Sequence, residues 1–378
     1  MNITFITSWD TKGEQFNGRI LHDYLIKTKN ISHMLVNHKL STDDTISLVG
    51  NKLTRLIDEK IIFNIEKIFS IWSILPLSGT ISLLSDKSDI IHLQDIHSNS
   101  FISLLVLPII SKQKKVIMTV HDLWIMSGHC IYPLGCKKWQ TGCDNCCNLK
   151  VPISLLWDTT SLMWKLKYWV MHHSNIHLIV ASHYMKDIVK QSPILNHLKC
   201  DVIPYGIEQK NYNKKECRKE LNIPDDVFVA SYRNIKENCF KGTEYIESLP
   251  SLNNIYIFPI GGDGWIDDHE YLMKALTASD IFLMPSIEES FGIMAIESMS
   301  VGTPPIVFDG TALPEIIKSG GLIIKRNSDA LLYAIQLLQS SPNIQKHLSI
   351  NAKNIIKEIY TIDKYINAHI NLYKSLTR

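Results

Sequence analysis

The chain has 378 residues, 45% of them hydrophobic and 20% charged, with a formal net charge of +2. That length suits two domains of ordinary size rather than one core. The small net charge does not argue for a nucleic-acid binder, which needs a basic face, and no low-complexity run is present.

The opening "MNITFITSWDTKG" has no cleavage site and reads as a first β-strand rather than a signal peptide. "NITFIT", "ISHMLV", "DIIHLQ", "KKVIMTV" and "IHLIVAS" are short β-rich runs, most of them separated by helix-length segments. This is the rhythm of a parallel, doubly wound sheet. The longest apolar run, Phe101 to Ile110, is about half the length needed to cross a bilayer. A cytoplasmic protein is expected, with contact at a membrane surface left open. "LLWDTTSLMWKLKYWVMHH" reads as a tryptophan-rich packed helix, and its Lys165 and Lys167 leave a membrane-surface role as the alternative. A polar stretch, Glu208 to Asp226, reads as an interdomain connection, after which "VFVASY", "NIYIFPIGG", "DIFLMPS" and "PPIVFD" give a second set of strands. The last helix has apolar positions at Ile362, Tyr365, Ile366, Ile370 and Tyr373. The expected class is α/β, with two Rossmann-like, doubly wound domains facing across a cleft. The expected spans are 1–205, 206–360 and a C-terminal helix, 361–378, returning to the first domain.

Loop 128–147 holds five of the eight cysteines. Cys130, Cys136, Cys143 and Cys146 read C-x5-C-x6-C-x2-C, whose closing pair suits tetrahedral zinc. Four thiolates would fill the coordination shell, so a metal there would be structural. The alternative is a set of reduced, partly buried thiols, with Cys147 as an unexplained fifth.

The chemistry concentrates between Ser279 and Ile317. A buried strand ends at Pro285-Ser286, a loop carries Glu288 and Glu289, and a helix opens near Phe291-Gly292, with Gly302 suited to close it. Glu289 and Glu297 flank the helix mouth, whose N–H groups and dipole attract phosphate. Carboxylates accept hydrogen bonds from the vicinal hydroxyls of ribose or hexose. The reading is a nucleotide-sugar clamp; the alternative is one helix cap and one solvated glutamate.

These residues resemble the donor signature of the family 4 glycosyltransferases, retaining enzymes of the GT-B fold. The signature stands here as Ala278, Asp280, Pro285, Ser286, Glu289, Phe291, Gly292, Glu297, Met299, Gly302, Pro304, Pro314 and Glu315. "DIIHLQDIHSNSFIS" and "MTVHDLWIMSGHCIYPLGCKKWQTGCDNC" are similar to the acceptor half of the exopolysaccharide branch, which includes colanic-acid-type enzymes.

The resemblance implies that Glu289 holds donor-sugar hydroxyls and Glu297 the ribose. Backbone N–H groups of Phe291, Gly292 and Ile293 would approach the diphosphate. Lys241 would neutralise the leaving phosphates together with Arg233 or Lys236, and His121 would lie by the transferred sugar. Gly13 keeps one glycine of the family's paired-glycine loop, with Lys12 in place of the other.

The implied function is retaining transfer from a nucleotide sugar, UDP- or GDP-linked, to an oligosaccharide or lipid-linked acceptor in surface-polysaccharide synthesis. The sequence has no D-x-D triplet, so no catalytic metal is expected; zinc in the cysteine loop is the one candidate metal, and nucleic acid is not an expected partner. Two other readings stand beside this one. One is a non-catalytic, nucleotide-sugar-binding member of an assembly complex, and the other is a GT-B enzyme such as an epimerase or phosphorylase.

Overall fold

The computed structural model describes residues 1–98, 100–150, 154–235, 239–262, 266 and 268–377. Its strands are β1 Asn2–Trp9, β2 Ile31–His38, β3 Ile46–Leu48, β4 Ile90–Leu93, β5 Lys115–Thr119, β6 Ile176–Val180 and β7 Cys200–Val202 in one sheet. A second sheet has β8 Phe228–Arg233, β9 Ile255–Ile260, β10 Ile281–Met284, β11 Pro305–Phe308 and β12 Leu322–Ile324. The chain divides into two compact units. The first is Met1–Ala181, Met185–Ile203 and Ile366–Arg378; the second is Ser182–Tyr184 and Pro204–Tyr365.

The first sheet runs β3-β2-β1-β4-β5-β6-β7 and the second β12-β11-β10-β8-β9, with parallel neighbours throughout. Every residue of β4, β10 and β11 is buried, as expected of strands covered by helices on both faces. Each sheet reverses its winding once, between β1 and β4 and between β8 and β10. Open α/β sheets bind ligands outside the carboxyl ends of the strands at such a point.

Three strands lie outside the runs read from sequence: β3, β7 and β12. Each has three residues at or near a sheet margin, and each is only partly buried. The stretch Glu208–Asp226 also differs from the connection expected of it. It belongs to the second unit and contains the helix Lys214–Glu220, whose Arg218 is buried. The last helix, Ile362–Thr377, begins in the second unit and continues into the first. There Tyr373 is fully buried, and its hydroxyl meets His92 Nδ1 at 2.7 Å while His92 Nε2 meets Thr119 Oγ1 at 2.8 Å.

Candidate functional site

In the second unit, both loops that leave the winding reversal carry site candidates. The loop after β8 holds Phe240, Lys241 and Gly242; the loop after β10 holds Pro285 to Glu289. They are tied together, since Ile287 N donates to Phe240 O at 2.8 Å. Gly242 has a φ of 69°, and a Cβ there would stand 2.0 Å from Pro285 O, so only glycine lets the two loops close. The closure brings Lys241 Nζ to 2.8 Å from Glu289 Oε2. The carboxylate is nearly buried and the lysine only partly so, which leaves the cation the more accessible member.

Helix Ile293–Val301 follows directly. Gly292 precedes it at φ 100° and offers no side-chain cap, and Gly302 closes it at φ 87°. Its start is fixed from behind: Phe291 is buried against the rings of Tyr205 and Tyr360, at 5.0 and 5.8 Å, so only the Phe291 backbone is placed for a ligand. Ala312 N donates to Glu289 O at 3.1 Å, anchoring the preceding loop. Glu297 lies within the helix with a nearly buried carboxylate, hydrogen-bonded by His269 Nε2 at 2.9 Å.

Arg233 is placed differently from Lys241. Its Nη1 donates to the carbonyls of Asn234, Ile260 and Gly262 at 3.0, 3.1 and 2.8 Å, and so holds the loop that leaves β9. Lys236 lies outside the described residues.

In the first unit the same logic gathers Gly13 and His121. Residues 10–18 leave β1 as a loop folded around Asn17, whose Nδ2 donates to the carbonyls of Trp9, Asp10 and Lys12 at 2.9, 3.2 and 3.0 Å. Gly13 has a φ of 72°, and a Cβ there would meet the Phe16 ring at 2.3 Å. That ring stands edge-on to His121 at 5.4 Å. Burial lowers the His121 pKa to about 4, against a smaller upward pull from Asp95. His121 is therefore a neutral imidazole at physiological pH, able to donate to or accept from a sugar hydroxyl.

His97 escaped the sequence reading, and Lys167, read there as a possible membrane-surface residue, is instead in the core. His97 lies between two carboxylates, with Nδ1 3.1 Å from Asp95 and Nε2 3.4 Å from Asp122, and stacks on Trp124 at 5.3 Å. Its position just past β4, at the carboxyl edge of a parallel sheet, was the available signal. Lys167 is fully buried, donates to the carbonyls of Trp124 and Ser127 at 2.6 and 3.0 Å, and lies 3.8 Å from the Trp124 ring centre. Its helix, Thr160–His172, is thus packed through Lys167, and Trp164 Nε1 donates to Trp139 O at 2.7 Å.

Burial lowers the Lys167 pKa from 10.5 to about 7. Between those values the unfolded chain binds the proton that the folded chain releases, so stability rises with pH across the window. The expected contribution is up to about 1.4 kcal/mol per pH unit. The difference in slope between the wild type and Lys167→Met in denaturant unfolding from about pH 7 to about 8.5 checks this, because the thiols that titrate near 8.5 in the unfolded chain contribute equally to both proteins. Lys167→Met should remove the rise, and an equal slope in both proteins would contradict it.

The cysteine loop keeps its sulfurs further apart than a closed zinc centre would. A four-thiolate zinc centre needs sulfurs about 3.8 Å apart, given zinc–sulfur bonds near 2.3 Å. Among the described residues, the one group of three candidate ligands within 4.8 Å of one another is His22, Asp23 and Asp43; Cys130, Cys136, Cys143 and Cys146 form none. The His22 group is already satisfied, by Arg19 on both carboxylates and by Ser32 and Thr45 on the ring. Burial pushes the Cys130 thiol up to about 11 and raises Cys143. Cys143 Sγ accepts a hydrogen bond from Gly128 N at 3.3 Å.

The fold is of the GT-B glycosyltransferase type. A sucrose-phosphate synthase from Thermosynechococcus elongatus matches 100% of this chain with 99% of its own, at a TM-score of 0.68 and 17% identity. Anabaena Alr3699/HepE in complex with UDP and glucose matches over 100% of both chains, at 0.67 and 13%. Residues 264–355 match the family described as Glycosyl transferases group 1.

Over 320 residues the chain is 26% identical to the Escherichia coli O-antigen biosynthesis glycosyltransferase WclY, covering 77% of this chain and 80% of that one. It is 21% identical over 286 residues to the putative colanic acid biosynthesis glycosyl transferase WcaC of Escherichia coli K12, covering 69% and 68%. An uncharacterized glycosyltransferase of Methanocaldococcus jannaschii is 32% identical over 106 residues, 27% of each chain. Part of the second unit, residues 264–355, is thus similar to the group 1 glycosyl transferases, and O-antigen and colanic acid glycosyltransferases are among the proteins the chain resembles.

Proposed function

We propose that the protein is a retaining, metal-independent glycosyltransferase. It moves a hexosyl or N-acetylhexosaminyl group from a UDP- or GDP-linked donor to an oligosaccharide or lipid-linked acceptor in surface-polysaccharide synthesis. The observation that carries this reading is the Lys241–Glu289 pair, 2.8 Å apart, placed where the second sheet reverses and just before the uncapped start of helix Ile293–Val301. Similarity to WclY over four-fifths of that enzyme supports the pathway class, and the UDP in the HepE complex supports the donor class.

Glu289 accepts hydrogen bonds from donor-sugar hydroxyls, and Glu297 accepts them from the ribose. The diphosphate meets the backbone at Phe291, Gly292 and Ile293, with Lys241 stabilising the charge that develops as the nucleoside diphosphate leaves. The acceptor hydroxyl attacks the face from which that group departs, and its proton passes to the leaving phosphate oxygen. Neither glutamate acts as the nucleophile of a retaining glycosidase. Neutral His121 orients a hydroxyl of the transferred sugar. Catalysis rests on positioning and on stabilisation of the leaving charge.

A location at the inner face of the plasma membrane is part of this proposal. No described helix is long and apolar enough to cross a membrane. The first unit nevertheless exposes Leu53, Leu56, Ile68, Phe69 and Trp157, with Lys52, Lys60 and Lys67 also exposed along residues 52–69. Trp157 Nε1 donates to Ile68 O at 3.1 Å, which joins the tryptophan to that segment. Asp58 and Glu66 turn away, accepting backbone N–H groups of residues 74–78, while exposed Glu59 stands 3.5 Å from Lys60.

A thermal-shift panel of UDP-, GDP-, dTDP- and ADP-sugars tests the donor clamp. One nucleotide class should stabilise the wild type, and at 100 times the dissociation constant it adds about 2.7 kcal/mol. Glu297→Ala should lose most of that stabilisation. A mutant that keeps the full shift would remove Glu297 from the clamp.

A further inference from the structure

Glu297 has a near neighbour to which the sequence pattern assigns nothing. His269 is the first residue of helix His269–Ala278, packed beside helix Ile293–Val301 in the same unit. Its Nε2 stands 2.9 Å from Glu297 Oε1. The glutamate side chain is 3% exposed and the imidazole 41%.

A carboxylate this deep is costly without a hydrogen-bond donor, and a glutamate has three rotatable bonds to fix before it can meet a ligand. An ionised carboxylate only accepts, so His269 must carry its hydrogen on Nε2. In a neutral ring that requirement selects one tautomer; in the imidazolium both ring nitrogens carry hydrogen. The histidine is itself anchored, because Asp268 caps its helix by accepting from Tyr271 N at 2.9 Å. An ionised carboxylate offers about four lone-pair sites; His269 occupies one, and enough remain for both hydroxyls of a vicinal diol. The imidazole therefore need not leave when the ligand arrives.

We propose that His269 is a positioning residue for the nucleotide: by holding Oε1 of Glu297 it fixes the carboxylate against the 2′- and 3′-hydroxyls of the donor ribose, making the pair a reader of ribonucleotides. This rests on the assignment of Glu297 to the ribose in the proposed function. The same arrangement recurs at Glu289, whose partner is Lys241, but the two partners differ in chemistry. Lysine brings a donor on a flexible four-carbon stem; histidine brings a rigid ring that sets direction.

The test compares wild type, His269→Ala, His269→Gln and Glu297→Ala. Binding of UDP and GDP is measured against their 2′-deoxy forms, and steady-state rates use whichever sugar nucleotide the enzyme turns over. For His269→Ala the donor KM should rise about 10- to 100-fold, the range for losing a charge-assisted hydrogen bond, with kcat within about twofold. Its preference for the ribo- over the deoxynucleotide should fall toward that of Glu297→Ala. His269→Gln retains an N–H donor of similar reach and should recover most of both effects.

Two results overturn the proposal while leaving the donor reading intact: Glu297→Ala loses nucleotide binding but His269→Ala binds as wild type does, or His269→Ala weakens both nucleotides equally and keeps the preference. A Glu297→Ala protein that binds and discriminates normally would instead overturn the ribose assignment, and the proposal with it.

Discussion

Lys241→Met is expected to lower the transfer rate by about 10²- to 10³-fold, the usual cost of removing one donor aimed at developing charge. The expectation rests on the place of this lysine. It extends from the tight turn at Gly242, where no Cβ fits under Pro285 O, so its backbone cannot drift. Its ammonium reaches Glu289 at 2.8 Å without being buried, which leaves N–H donors for a phosphate.

Removing Lys241 also strands a nearly buried carboxylate, at about 1–3 kcal/mol. Glu289→Gln and the double mutant belong in the same experiment. If the two side chains act as one unit, the double mutant should be little worse than the poorer single mutant. Rates from initial-velocity assays, with circular dichroism as a control on folding, decide the matter. A folded Lys241→Met enzyme at full rate would reduce Lys241 to a surface partner of Glu289 and leave the leaving group without its assigned cation.

The structure shows how much of this was legible beforehand. All nine β-runs read from the sequence are strands in the structure, because buried parallel strands are short apolar blocks that need no partner to be recognised. Strands β3, β7 and β12 escaped, since three half-exposed residues carry no period. Gly302 was legible as the close of a helix because its left-handed backbone is a local property. His269 was not, because what gives it a role is a contact with Glu297 across 28 positions of chain. Arg233 was legible as a cation, yet its Nη1 faces three carbonyls in the structure, and a sequence cannot say which way a guanidinium turns. The cysteine spacing was equally visible, while the distances between sulfurs depend on how a loop with left-handed residues at Leu134, Cys143 and Asn145 is wound.

Asp280 makes the same point inside the donor signature and leads to the largest expected loss of stability. Its carboxylate accepts from Arg218 Nη2 at 2.8 Å, Lys214 Nζ at 2.6 Å and Val229 N at 2.7 Å. Arg218 is buried and also donates to the carbonyls of Ala278, Asp225 and Val227 at 2.9, 3.0 and 3.2 Å. One arginine thus joins the helix Lys214–Glu220, the start of β8 and the entry to β10, and Asp280 supplies its counter-charge.

Asp280→Ala would leave a buried guanidinium without a carboxylate, a change that costs about 3–5 kcal/mol. Urea unfolding should show a lower midpoint with an unchanged slope, and Asp280→Asn, which keeps an acceptor oxygen, should fall between mutant and wild type. Donor KM at a temperature where the mutant stays folded should match the wild type. The opposite pattern, normal stability with a raised donor KM, would move Asp280 from the frame of the unit into its ligand site. Its carboxylate is taken up by Arg218, Lys214 and Val229 N, so the role expected of it is in the scaffold: it holds β8 beside β10 and thereby sets the two loops that bring Lys241 to Glu289.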